Sequence, residues 1–122
     1  MVYNGRRERE ENGTAVRIDY YKTPEGKEPF KEWLSGLDAV TRARIDSRLK
    51  RVEGGNLGDW GPIDDSAGVF EFRFAFGPGY RIYFGRKGNT IVILLCGGDK
   101  STQRRDAAKA KRLWADHKAK EV

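Results

Sequence analysis

The chain of 122 residues has one cysteine, Cys96, and one histidine, His117. A lone thiol cannot build a disulfide framework or a multi-thiolate metal site. A lone imidazole cannot complete a histidine metal site or a Ser-His-Asp triad in any usual form. Long apolar runs are also missing. The longest, Ile91 to Cys96, is six residues, against the roughly 20 needed to cross a bilayer, and the N-terminus has no apolar signal-peptide core. The expectation is a soluble, unexported protein of a reducing cytoplasm, with no membrane association, no metal and no cofactor. Its chemistry has to come from Arg, Lys, Tyr and carboxylates.

What the chain has in excess is positive charge. Its 24 Lys and Arg against 18 Asp and Glu leave +6 and a pI near 9.6, which favours a polyanionic partner. The excess is uneven: residues 1–69 hold 12 basic and 13 acidic side chains, residues 70–122 hold 12 and 5. The length suits one domain. Residues 1–14 are polar, with Arg6, Arg7 and Arg9 cancelled by Glu8, Glu10 and Glu11, and are expected to form a flexible arm before a single domain over 15–122.

Within that domain, Val16, Ile18 and Tyr20 alternate with Arg17 and Asp19, as in a half-buried strand. Pro29 opens a helix over about 29–36, with Phe30, Trp33, Leu34 and Leu37 as its apolar stripe. Asp38 is placed to cap a second helix, whose buried stripe is Ile45, Leu49 and Val52 and which stops at Gly54-Gly55. The two should form a hairpin. Residues 54–68 read as a loop tacked down by Trp60 and Ile63. In VFEFRFAF, 69–76, four phenylalanines share one face and Glu71, Arg73 and Ala75 the other. A turn at Gly77-Pro78-Gly79 leads to a strand over 80–86, and a turn at 87–89 leads to TIVILLCG, whose unbroken apolar run suits a strand covered on both faces. A last helix spans about 102–119. The fold class is α+β, with a mostly antiparallel four-stranded sheet.

If the turn keeps simple pairing, Arg73 faces Tyr83 and Ala75 faces Arg81, which puts two guanidiniums and a phenol on one open patch with Glu71. Arg forks suit phosphate oxygens and Tyr suits a base or a phosphate. The segment GGDKST, 97–102, offers glycines before a helix N-terminus, with Lys100 at the same end of the sheet as Arg81; Asp99, Ser101 or Thr102 can equally cap the helix. Arg104 and Arg105 belong to a basic last helix that suits either a nucleic-acid phosphate backbone or an acidic protein. His117 reads as a dipole partner near the helix end and Cys96 as an inert core thiol.

The segments YKTPEGKEPFKEWLSGL, VFEFRFAFGPGYRIYF and ILLCGGDKSTQRRDAAKAKRLW resemble the addiction-module killer proteins, HigB-like members of the RelE/ParE toxin superfamily of type II toxin-antitoxin systems. The resemblance covers about residues 15–116. It implies a RelE-like fold, with a two-helix hairpin on one face of a twisted sheet. It also implies a small antitoxin partner, commonly a helix-turn-helix repressor, so that DNA is engaged only through the antitoxin. RelE-like toxins cut mRNA on the ribosome without a metal, through attack of the ribose 2′-hydroxyl on the adjacent phosphate. The resemblance therefore implies a metal-independent endoribonuclease that inhibits translation. Arg73 and Arg81 would stabilise the phosphorane, Lys100 would hold the scissile phosphate or assist the leaving 5′-oxygen, and Glu71 and Tyr83 are candidates for proton transfer. Glu71 stands where RelE-like enzymes often place a lysine. The alternatives are a ParE-like toxin that binds gyrase without nuclease activity and a non-toxic nucleic-acid-binding module.

Overall fold

The computed structural model describes residues 15–65 and 68–121; the arm expected over 1–14 lies outside them. The elements are β1 (Arg17–Tyr20), α1 (Pro29–Ser35), α2 (Ala39–Glu53), β2 (Trp60–Pro62), β3 (Val69–Arg73), β4 (Tyr80–Lys87), β5 (Ile91–Asp99), a 3-10 turn (Lys100–Thr102) and α3 (Gln103–Lys120). Pro29 occupies the first turn of α1 and the Asp38 carboxylate accepts from the Thr41 N–H at the start of α2, as the sequence predicts.

The class is α+β, but the sheet has five strands in the order β1-β5-β4-β3-β2. β1 runs parallel to β5 and every other pair is antiparallel. The strand missing from the four-stranded expectation is β2, inside the segment read as a loop. Three residues are too few to show alternation; β2 exists because Trp60 and Pro62 pair with Phe72 and Phe70, and its proline is acceptable on an edge strand.

One face of the sheet carries α1 and α2. Phe30 of α1 and Ile45, Leu49 and Val52 of α2 close over Phe72, Ile82, Phe84, Val92 and Leu94, with the Phe72 and Phe84 rings stacked 4.0 Å apart. The expected hairpin is better described as two helices seated side by side on the sheet: α1 lies along β5 and touches α2 little. The opposite face, expected to be covered at β5 and open along β3 and β4, carries α3. Ala110 and Trp114 pack on Val69, Tyr83, Ile93, Leu95 and Cys96. Trp114 lies so close over Gly85 that a Cβ there would overlap its ring.

The β3–β4 register also differs from the expectation. Arg73 pairs with Arg81 and Glu71 with Tyr83. The shift is two residues, because β3 ends at Arg73 and the connection runs from Phe74 to Gly79, closed by the Phe74 N–H donating to the Tyr80 carbonyl. A two-residue shift preserves which side chains share a face. It changes which of them meet.

Candidate phosphate-binding cleft

Arg73 at the end of β3 and Arg81 at the start of β4 are direct cross-strand partners. Arg81 in turn pairs with Gly98 of β5, and Tyr80 with Asp99, so the residue that follows β5, Lys100, emerges beside the Phe74–Gly79 loop. The glycines of GGDKST are thus strand residues and not a flexible turn. Gly98 is required by close approach: a Cβ there would fall on the Asp106 carboxylate. Asp99 fills the helix N-terminus itself, accepting from Ser101, which is the capping alternative for this segment.

Arg73, Arg81 and Lys100 therefore line one cleft of about 380 Å³, together with Asp59 and the Gly77–Gly79 turn. Beneath it lies Glu71, 5% exposed. Its Oε2 accepts from Arg73 Nε at 3.0 Å and its Oε1 faces Arg81 Nε at 3.6 Å. The hydrogen bond from Arg73 to Glu71 is the main reason the Arg73 guanidinium holds its proton more firmly than usual. Arg81 is steadied further by the carbonyls of Gly79 and Tyr80. Arg73 NH1 also donates to Asp59 Oδ1 at 2.9 Å, and that carboxylate is 69% exposed at the rim. The cleft thus holds three cations over one buried carboxylate, with a second carboxylate exposed at its rim.

Three expected members stand elsewhere. Tyr83, predicted on the open patch, is fully buried under α3. Among the described residues its hydroxyl has no hydrogen-bond partner, and burial first, then the nearby Glu71 and Asp106 charges, push its pKa far up. It lies below the cleft and does not line it. Arg105 contributes to a separate cavity of about 620 Å³ between α1 and α3, where it stands with Trp33, Lys109 and Arg112 and with the carboxylates of Glu32 and Asp106, its Nε 3.4 Å from Asp106. Arg104 is exposed on α3 and also lies outside the cleft lining. Cys96 is buried and its thiol pushed up to about 12, chiefly by desolvation, in keeping with an inert thiol. His117 stacks on Trp114 and faces Glu121 at 3.2 Å in the last turn of α3.

Sequence reasoning missed two residues that shape the cleft, Asp59 and Arg48. Arg48 of α2 is buried, and donates to the carbonyls of Leu57, Asp59 and Arg73. It thereby fixes both ends of the Asp59–Arg73 ion pair. No local pattern marks either residue, since each is defined by a segment distant in sequence.

The Gp49-like model for phage-derived proteins (DUF891) matches residues 32–115, well over half of the chain and all of the cleft. The chain belongs to the Gp49-like family. This Gp49-like protein is also 47% identical over 85 residues to an uncharacterized protein of Haemophilus influenzae, an alignment spanning 69% of this chain and 84% of that one. Among the described residues no helix is long and apolar enough to cross a membrane.

Proposed function

We propose that this Gp49-like protein is the toxin of a type II toxin-antitoxin pair, of the HigB-like kind, and that it cuts mRNA on the ribosome in the cytoplasm. The observation that carries the reading is the convergence of Arg73, Arg81 and Lys100 on one cleft. Family membership fits a toxin with an antitoxin partner, for which a helix-turn-helix protein is the expected type.

In this reading the scissile phosphate displaces Asp59 and takes its place on Arg73. The ribose 2′-oxygen attacks phosphorus, the bond to the 5′-oxygen breaks, and the products are a 2′,3′-cyclic phosphate and a 5′-hydroxyl. Arg73 and Arg81, already aligned by Glu71, stabilise the charge that builds on the phosphorane oxygens without reorganising. Lys100, on the far wall, delivers a proton to the departing 5′-oxygen. Glu71 serves first as the shared anchor of the two guanidiniums. Its Oε1, which accepts no hydrogen bond among the described residues, is the candidate acceptor for the 2′-hydroxyl proton.

The test is inducible expression followed by mapping of cellular mRNA ends. Wild type is expected to arrest growth and leave cuts at ribosome-occupied codons, and Arg81→Ala to do neither while folding normally. Intact mRNA with blocked replication would replace this reading with gyrase poisoning.

A further inference from the structure

A second cavity of about 440 Å³ adjoins the cleft and shares Asp59, Arg73, Phe74 and Ala75 with it. Its outer wall is α2, where Arg44, Arg48 and Arg51 recur at i, i+4 and i+7 and so fall on one helix face. Arg48 is spent on backbone carbonyls. Arg44 and Arg51 are exposed, and among the described residues neither has a carboxylate partner. Arg44 lies over the Phe76 ring at 4.8 Å. Asp59 is the one acidic residue of this lining, and it already faces Arg73. Burial above all weakens the hold of Arg48 on its proton; Asp59 opposes this and Arg51 adds a smaller push in the same direction as burial, so Arg48 and Arg51 repel one another. Folding gains nothing from such crowding. A chain of phosphates would relieve it.

We propose that this groove is a second subsite, which holds the phosphate flanking the one in the cleft, with Arg44 and Arg51 as its ligands and the Arg44–Phe76 pair as a surface for the adjoining base. The inference rests on the cleft being a single-stranded RNA site. It adds that the strand runs from Lys100 past Arg73 and along α2, so that the protein grips at least two consecutive phosphates. A basic groove with an aromatic beside it is how single strands are held without regard to sequence.

The test uses the full chain and uncleavable 2′-O-methyl uridine oligomers, a dimer with one bridging phosphate and a pentamer with four, followed by fluorescence anisotropy over a salt series. Wild type is expected to bind the pentamer at least tenfold more tightly than the dimer. Arg44→Ala/Arg51→Ala should keep the dimer affinity and lose most of that gain. Its salt slope for the pentamer should fall by about 0.7 for each phosphate contact removed. A charge-matched control, Lys27→Ala/Lys50→Ala, removes two exposed cations outside the groove and should leave the gain intact. A double arginine variant that binds the pentamer like wild type, or a control that weakens it equally, overturns the subsite while Arg73→Ala still reports on the cleft. Failure of wild type to bind either oligomer overturns both.

Discussion

Arg48 is charged and buried and spends its guanidinium on backbone carbonyls, yet it sets the geometry of the cleft. It bonds the Leu57, Asp59 and Arg73 carbonyls at 3.0, 2.7 and 2.9 Å and lies over the rings of Phe72 and Phe74. Desolvation lowers its pKa, a cost offset only while those acceptors are in place. Arg48→Ala would strand three carbonyls and is expected to lower unfolding free energy by about 3 kcal/mol or more, read as a shift in urea midpoint. Arg48→Lys should recover only part, since an ammonium lacks the planar fork. Asp59 calls for the opposite experiment. As the carboxylate that a phosphate must displace from Arg73, its change to Asn should tighten RNA binding, by up to about fivefold for an exposed pair, with no loss of stability. Weaker binding would make Asp59 a ligand-positioning group instead. That Arg73, Arg81 and Lys100 share a cleft was legible in the sequence, because period-two alternation and a hairpin suffice to put them at one end of one face. Arg48 and Asp59 were not, since the acceptors of the one and the cation of the other come from distant segments.

The placement of α3 decides what the β3–β4 hairpin can expose. Two elements with their own clear period, the alternating strands and the basic helix, were both legible. How they stack was not, because burial of Tyr83 and Glu71 depends on where an amphipathic helix lands after the chain leaves β5. The residue that permits the stacking is a glycine within a strand. Trp114 sits on Gly85, and Ala110 beside it is fully buried. Trp114→Ala should therefore cost about 3–5 kcal/mol, and Gly85→Ala about 1–3 kcal/mol through overpacking. Both are measurable by urea unfolding, and the double variant should cost less than the sum because the smaller side chain makes room for the methyl. Additive losses would mean that α3 is anchored elsewhere. The missed edge strand β2 follows the same logic: Trp60–Pro62 is a strand because β3 offers it an edge, and the offer is invisible in three residues.

The whole molecule responds to pH through groups on both sides of neutrality. Asp38, Asp99, Asp116 and Glu121 hold their protons less firmly than usual, through hydrogen bonds from Thr41, Ser101, Tyr21 and Lys87 respectively. A lowered folded pKa stabilises above the unfolded carboxylate range and is lost below it, so acid should weaken the fold from about pH 4 downward. The alkaline side has the opposite sign. Burial raises the Cys96 thiol to about 12, and burial together with the hydrogen bond to Asp116 raises the Tyr21 hydroxyl to about 12; Tyr83 and Tyr20 are raised as well, chiefly by burial. These groups stabilise the fold fully while they are neutral in both states. Once the unfolded thiol begins to ionise, near pH 8.5, the unfolded chain releases a proton that the folded one keeps. Stability should then fall by about 1.4 kcal/mol per pH unit, and more steeply above pH ~10, where the raised phenols join. Cys96→Ala isolates the first limb. Its urea midpoint should stay level between pH 8.5 and 10 while that of wild type declines. Equal declines in the two proteins would show that the thiol is not the group that senses base in this interval.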